Sequence, residues 1–217
     1  MIDASLQPLQ RRVLTPPGRW LADLGIAADQ ITIAGFAVGV LAVPALAMGA
    51  FGLALVLLAL NRLADGLDGA VARLSTPTDR GAFLDIALDF VFYALFPLGF
   101  ALASPQVNAL PAAVLIAAFV GTGSSFLAFA TIAAKRGLTA AAYPAKGIHY
   151  LGGLTEGAET IAVFVAMCLF PSAFPILAYG YAAACALTTV VRWRQGWQAF
   201  SYGENTANCN NRAAWRS

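Results

Sequence analysis

The stretch NRLADGLDGAVARLSTPTDRGAFLDIALDF, residues 61–90, decides how this chain is to be interpreted. It sets four carboxylates inside two otherwise apolar segments, at Asp65, Asp68, Asp85 and Asp89. A fifth carboxylate, Asp79, falls in the polar loop between those segments and needs no special reason. Ionisable groups in an apolar segment are costly, so they usually face a cavity, a partner or a pathway.

The rest of the chain is strongly apolar. Of its 217 residues 59% are hydrophobic and 11% are charged, and the mean hydropathy is +0.72. A soluble domain carries about 25% charged residues. The apolar residues also fall in long runs, which is typical of a polytopic membrane protein.

The runs predict an all-α integral membrane protein with six transmembrane helices. A bilayer requires roughly 20 residues per span. The six predicted spans cover about 30–49, 51–73, 81–104, 109–134, 151–170 and 173–191. They form a single domain over residues 1–202, followed by a polar tail at 203–217. We find neither a repeat nor a cleavable signal peptide, because the N-terminus lacks an apolar core followed by small residues.

The N-terminal segment MIDASLQPLQRRVLTPPGRW predicts an amphipathic helix lying in the membrane interface. Leu6, Leu9 and Val13 recur at helical spacing and can face lipid, while Arg11 and Arg12 can face phosphates. The alternative interpretation is a polar arm without regular structure.

Charge placement predicts the orientation in the membrane. All 13 Lys and Arg residues fall on the side of the N-terminus, and the three short turns on the other side carry no charge. Basic segments stay in the cytoplasm. We therefore expect an inner (cytoplasmic) membrane protein with both termini, and the four aspartates, on the cytoplasmic side.

Helical geometry then brings the aspartates together. At about 100° per residue, one face of the second span holds Asp65, Asp68, Gly69 and Ala72. One face of the third span holds Gly81, Asp85 and Asp89. Two helices joined by a short loop are expected to be antiparallel neighbours, so the four carboxylates would point into one gap. Because they would repel one another at low dielectric, we expect a hard divalent cation among these oxygen ligands.

These residues form a motif, D-x2-D-G-x2-A-R-x7-G-x3-D-x3-D, running from Asp65 to Asp89. The motif closely resembles the signature of the CDP-alcohol phosphotransferase (phosphatidyltransferase) family. Eight defined positions match at fixed spacing, and the six-span architecture is also that of the family. Upstream, LGIAADQITIAG resembles the family's entry to its first span, where P-N-x-x-T is common. Thr32 matches, whereas Ala28 and Asp29 depart from that pattern; in the alternative, Asp29 simply caps a helix.

The resemblance implies an enzyme in which an acceptor alcohol attacks the β-phosphorus of a CDP-alcohol and CMP leaves. It implies Mg²⁺ or Mn²⁺, as two ions, and a homodimer. Asp65, Asp68 and Asp85 would bind metal, and Asp89 would bind metal and act as the catalytic base. Nucleotide contacts would come from Asp65, Gly69, Ala72, Arg73, Gly81 and Thr32.

The acceptor should be recognised outside the motif. Glu156 and Glu159 lie on one face near the start of the fifth span and, with Lys146, would suit an amino alcohol. Alternatively, basic residues including Lys135, Arg136 and Lys146 would hold a phosphorylated polyol. In a simpler interpretation, the glutamates favour a helix start and the basic residues follow the positive-inside rule.

Other functions remain open at this point. The partners we expect are a CDP-linked lipid donor, namely CDP-diacylglycerol, a small alcohol acceptor and membrane lipids, with no nucleic acid. An intramembrane prenyltransferase also uses aspartates around Mg²⁺, and a divalent cation transporter could use the quartet as an ion site. The quartet could also pair structurally with Arg62, Arg73 and Arg80, and Arg62 could either snorkel or screen the carboxylates.

Overall fold

The computed structural model describes residues 2–75, 78–137 and 155–214, with side chains described over 11–75, 78–137 and 155–201. These ranges are helical and contain no strand. The α-helices are α1 Ile2–Asp23, α2 Ala28–Val40, α3 Ala42–Ala47, α4 Phe51–Leu74, α5 Asp79–Ala103, α6 Pro105–Lys135, α7 Gly157–Leu169 and α8 Phe174–Ala214. A 3₁₀ turn at Pro171–Ala173 joins α7 to α8. The predicted all-α fold is confirmed.

Four segments of the described chain are long and apolar enough to cross a membrane. They are Ala28–Ala47, Asp79–Ala103, Pro105–Lys135 and Pro171–Ser201, which correspond to the first, third, fourth and sixth predicted spans. Helix α4 has 24 residues but carries charges in its second half. Helix α7 has 13 residues and follows residues 138–154, which are not described. The count of six spans and the interfacial position of α1 stay predictions.

The first predicted span is two helices rather than one. Helix α2 ends at Val40 and α3 begins at Ala42. Pro44 explains the break, because proline has no N–H to donate to the carbonyl four residues back, at Val40. After α3 the chain reverses through Gly49, whose φ of 73° suits glycine. This reversal lies at the end of the bundle that the sequence shows to be free of charge.

Helices α4 and α5 face each other across a gap. We expected them to pack as neighbours, but in the described structure α2 packs closely against both, and α4 and α5 have no comparable contact. Asp65 and Asp68 lie in the last turns of α4, and Asp85 and Asp89 in the first turns of α5. The acidic segments therefore meet at one end of the bundle, with α2 closing one side of the gap.

Aromatic packing fixes the rotation of α5. Phe92, Phe96 and Phe100 recur every four residues on this helix and are at most 1% exposed. The Phe96 ring stacks on Phe164 of α7 at 4.4 Å, and Phe100 on Phe174 of α8 at 4.5 Å. Such ring pairs contribute about 0.5–1.5 kcal/mol each beyond the area they bury. Asp89 precedes Phe92 by three residues and Asp85 precedes Asp89 by four, so both lie close to the face that carries the phenylalanines, and this packing directs them into the gap.

Candidate active site

One pocket lies at the end of the bundle where α4 ends and α5 begins. All four aspartates of the motif line it, although they come from two helices. The complete lining is Thr32, Gly35, Phe36, Asn61, Arg62, Asp65, Asp68, Asp85, Leu88, Asp89 and Phe92. The expectation that the carboxylates share one cavity therefore agrees with this geometry.

Helix α2 forms one wall of the pocket by approaching α4 very closely. A Cβ added at Gly35 would lie 2.5 Å from the Cβ of Ala64, so only glycine permits this approach. One turn earlier on α2, the Thr32 hydroxyl donates a hydrogen bond of 2.6 Å to Oδ2 of Asp68. Asp68 is only 6% exposed. Thr32, which the family resemblance suggested as a nucleotide contact, thus lies in the pocket and holds a predicted metal ligand.

Arg62 supplies the positive charge in this lining. Its Nη2 donates to Oδ1 of Asp89 at 2.8 Å, and its Nη1 lies 3.8 Å from Oδ2 of Asp65. Of the two roles expected for Arg62, snorkelling and screening, these contacts are those of screening. The quartet is not paired with Arg80, which instead binds Asp29 at 2.6 Å.

The donor chemistry of the pocket suits a divalent cation. Four carboxylates and one guanidinium line it, so three negative charges remain uncompensated. Hard cations such as Mg²⁺ and Mn²⁺ prefer carboxylate oxygens. Among the described residues, no three Asp, Glu, His or Cys side chains are gathered closely enough to ligate one ion. Asp68 accepts a hydrogen bond from Thr32, and Asp89 accepts one from Arg62. All four aspartates nevertheless share the cavity, and their carboxylates are the ligand type that a hard divalent cation requires.

The remaining motif positions lie beside the pocket. Gly69, Ala72, Arg73 and Gly81 are absent from its lining as far as the chain is described. A Cβ at Gly69 would meet, of the described side chains, only Nη1 of Arg73 at 3.2 Å. Helix packing therefore does not explain Gly69. A Cβ at Gly81 would instead meet Oδ1 of Asp29 at 2.9 Å, so Gly81 lets α5 approach the start of α2.

Asp29 is not the helix cap considered above. The residue that caps α2 is Ala27, whose N–H donates to the Gln30 side chain at 3.0 Å. Asp29 lies in the first turn and pairs with Arg80 of α5. This ion pair joins the starts of α2 and α5 next to the pocket.

Those of the proposed acceptor residues that the structure describes are not brought into the pocket. Arg136 donates to the carbonyl of Phe200 at 2.9 Å and lies 5.1 Å from its ring, so it joins α6 to α8. Glu156 caps α7, and Glu159 lies in its first turn with Oε2 buried and without a hydrogen-bond partner in the described structure. Neither of them, nor Lys135, is among the described lining residues. Lys146 lies outside the described residues.

The sequence did not single out Asn61 or Gly35 of the lining. Asn61 is 4% exposed, and its Nδ2 donates to the carbonyl of Gly35 at 2.9 Å. Its Oδ1 accepts from both Nε and Nη2 of Arg62, at 2.8 and 2.6 Å. The sequence offered one signal for Asn61, a polar residue beside a charged one in an apolar segment. Its hydrogen-bond partner, Gly35, lies 26 residues away and could not be inferred from the sequence.

A helical bundle with four segments long and apolar enough to cross a membrane, and with a pocket lined by four carboxylates, has the features of an integral membrane enzyme. Sequence comparison identifies the particular family. The chain belongs to the CDP-alcohol phosphatidyltransferase family, whose sequence model matches residues 25–192. It is therefore a transferase, and neither the prenyltransferase nor the cation-transporter hypothesis has comparable support.

Individual relatives agree with this assignment. The inner membrane protein YnjF of Escherichia coli is 52% identical over 197 residues, which are 91% of this chain and 96% of that protein. Archaetidylinositol phosphate synthase of Pyrococcus horikoshii is 35% identical over 100 residues, which are 46% of this chain and 53% of that protein. The phosphatidylinositol phosphate synthase of Mycobacterium tuberculosis, solved with CDP-DAG bound, superposes with a TM-score of 0.64 at 25% identity, covering 86% of this chain and 94% of that one.

Proposed function

We propose that this enzyme transfers a phosphatidyl group from CDP-diacylglycerol to a hydroxyl of an acceptor alcohol, releasing CMP, in phospholipid synthesis. The observation that carries the proposal is the convergence of Asp65, Asp68, Asp85 and Asp89 on one pocket. The CDP-DAG bound to the Mycobacterium tuberculosis homologue supports the choice of donor. A pocket at one end of the bundle also suits a donor whose diphosphate stays near the headgroups while its chains remain in the bilayer.

Two divalent ions, Mg²⁺ or Mn²⁺, would be held by Asp65, Asp68 and Asp85, with Asp89 contributing to the second. Bound there, such ions neutralise the diphosphate and align the attacking and leaving oxygens. The donor chemistry of the pocket supports this role. Its three uncompensated negative charges would otherwise repel an anionic substrate.

The side chains of the protein have their own tasks in the reaction. The oxygen of the acceptor hydroxyl attacks the β-phosphorus, the bond from that phosphorus to the bridging oxygen breaks, and CMP departs with the bonding electrons. Asp89 takes the proton of the hydroxyl. The nucleotide would be held by Thr32, Asp65, Gly69, Ala72, Arg73 and Gly81.

For the acceptor we favour a phosphorylated polyol over an amino alcohol. Two relatives with named activities make inositol phosphate lipids. Lys135 and Lys146 are the candidate basic contacts, since Arg136 is engaged by Phe200. Glu156 and Glu159 are the residues that would favour an amino alcohol instead.

We further propose that six spans form one domain over residues 1–202, with α1 in the interface and a polar tail at 203–217. Both termini and the pocket would face the cytoplasm, in an inner membrane, as the name of the Escherichia coli relative suggests. A homodimer would be the functional unit, as the resemblance to the family implies.

The test is an acceptor panel with radiolabelled CDP-diacylglycerol and purified full-length protein. Inositol phosphate, glycerol 3-phosphate, serine and ethanolamine are supplied separately, each with Mg²⁺, with Mn²⁺ or with chelator, and the lipid product is identified. We expect CMP release that depends on metal and on a phosphorylated polyol. Turnover with an amino alcohol alone would overturn the acceptor assignment, and turnover in chelator would overturn the role of the metal.

A further inference from the structure

Arg62 lies in an environment that needs an explanation. Its side chain is 18% exposed, and its guanidinium lies 5.2 Å from the centre of the Phe92 ring and 5.8 Å from that of Tyr93. A cation in the apolar part of a membrane helix is costly unless it is paired. The sequence places Arg62 one turn before Asp65, away from the end of α4. It therefore borders the inner part of the pocket.

The guanidinium is held from two directions. Oδ1 of Asn61 accepts two of its hydrogen bonds, from Nε at 2.8 Å and from Nη2 at 2.6 Å. The same Nη2 donates to Oδ1 of Asp89 at 2.8 Å. A planar guanidinium offers donors in a fixed fork, so holding one edge orients the rest of the group.

Asn61 is itself fixed by the backbone of α2. Its Nδ2 donates to the Gly35 carbonyl, and a Cβ at Gly39 would lie only 2.8 Å from the same nitrogen. Because the amide nitrogen must face that carbonyl, the amide oxygen is turned toward Arg62. Contacts thus run without interruption from the backbone of α2 through Asn61 and Arg62 to Asp89.

We propose that Asn61 and Arg62 are positioning residues that hold the Asp89 carboxylate by Oδ1 and so orient it toward the cation and the acceptor hydroxyl. This inference rests on the proposed role of Asp89 as the base. It assigns Arg62 two opposite effects. Its charge opposes binding of a divalent cation in the same pocket, while its geometry favours turnover.

The opposite effects make the proposal testable with full-length protein in detergent. Free Mn²⁺ is titrated by electron paramagnetic resonance, and CMP release from CDP-diacylglycerol is measured at saturating Mn²⁺. For Arg62→Ala we expect Mn²⁺ to bind at least about tenfold more tightly, because a positive charge 2.8 and 3.8 Å from two of the predicted ligands, Asp89 and Asp65, is gone. We expect kcat to fall at least about tenfold, because Asp89 is no longer held. Arg62→Lys keeps the charge but not the fork, so it should retain the wild-type Mn²⁺ affinity and lose turnover.

Asn61→Ala tests the second half of the arrangement against a matched control, Asn108→Ala. Asn108 is 7% exposed and its Nδ2 also donates to a backbone carbonyl, that of Phe100, at 3.0 Å. Asn108 lies in the first turn of α6, at the opposite end of the bundle from the pocket. Each variant loses a buried hydrogen bond from an amide to a backbone carbonyl, and Asn61→Ala also loses the two bonds that Oδ1 accepts from Arg62. Only Asn61→Ala should therefore lower kcat, with the KM for CDP-diacylglycerol changed less than about threefold.

The outcomes separate this inference from the proposed function. A wild type that neither binds Mn²⁺ nor releases CMP would refute the proposed function. If the wild type is active and Arg62→Lys keeps its full turnover, the positioning role is overturned. The same holds if Asn61→Ala has the same kcat as Asn108→Ala. If no acceptor supports turnover, the Mn²⁺ titration still decides, because unchanged or weaker binding by Arg62→Ala contradicts the inference.

Discussion

Asp85 and Asp79 stand six residues apart at the start of α5, and their different surroundings predict different roles. Asp85 lines the pocket, whereas Asp79 is an exposed residue in the first turn of the helix. We expect Asp85→Asn to lower metal-dependent CMP release at least about 100-fold, because the change removes one charged group from the centre that stabilises the transferring phosphate. Release is followed with radiolabelled donor at several Mn²⁺ concentrations.

Asp79→Asn is the control for that change, because it removes the same charge from the same helix. Its activity should stay within about twofold of wild type, since an acidic residue in a first helical turn contributes only about 0.3–1 kcal/mol to stability. Equal loss of activity in the two variants would contradict the assignment of Asp85 to the metal site.

The residues of the pocket differ in how far the sequence could reveal them. The four aspartates could be found because the i, i+3 and i, i+4 spacings place side chains on one face of a helix. Asn61 could not, because its role depends on the carbonyl of Gly35, which is distant in sequence and becomes its partner only when α2 packs on α4. Arg62 was expected to snorkel or screen, and only the contacts of its guanidinium decided between these roles.

At the scale of helices, the approach of α2 to α4 determines the shape of the pocket. Gly35 meets the Cβ of Ala64, and adding a methyl group would push the two helices apart. We expect Gly35→Ala to destabilise the protein by about 1–3 kcal/mol and to lower turnover. The losses of stability and of turnover have the same cause, because separating the helices would displace Thr32 and Asn61 from the aspartates. Unfolding in detergent and CMP release measure the two effects.

The control is Gly180→Ala, at a helical glycine of α8 whose added Cβ would meet nothing within 4 Å in the described structure. That variant should keep wild-type stability and activity. Adding Ala64→Gly to Gly35→Ala returns a methyl group's worth of space to the same contact, so the double variant should recover much of both losses. No recovery would mean that the Gly35 substitution acts elsewhere.

The helices themselves were largely predictable, and their packing was not. Long apolar runs indicated most of the long helices to within a few residues, since a bilayer imposes a minimum length. The break at Leu41 was missed although Pro44 is present, because other prolines, Pro97 and Pro111, lie inside continuous helices. The lack of close packing between α4 and α5 in the described structure was also not predicted, since a short loop indicates proximity but does not exclude a third helix from packing against both.

At the scale of the whole molecule, the uncompensated charge of the pocket links metal binding to stability. Three negative charges held close together oppose the folded state, and a bound cation relieves that repulsion. Saturating Mn²⁺ at 100 times its dissociation constant should stabilise the protein by about 2.7 kcal/mol. We expect the thermal unfolding midpoint to rise by several degrees and to return when chelator is added.

Sodium chloride at matched ionic strength separates specific binding from screening and should give a smaller rise. The Mn²⁺-specific part of the rise should disappear in Asp65→Asn, which lacks one of the ligands. An equal rise with sodium chloride and with Mn²⁺ would show that screening alone is responsible.

The orientation of the whole bundle can be tested with single cysteines. Cys168 and Cys185 are 6% and 1% exposed, so they should not react with a membrane-impermeant maleimide, and Cys209 is replaced by serine. Gln106→Cys places an exposed thiol after the turn between α5 and α6, and Asp79→Cys places one at the other end of α5.

The positive-inside rule predicts that Asp79 and the neighbouring basic residues lie in the cytoplasm. In intact cells we therefore expect labelling of Gln106→Cys alone, and labelling of Asp79→Cys only after permeabilisation. The reverse pattern would place the carboxylate pocket on the outer face, where a cytoplasmic CDP-linked donor could not reach it.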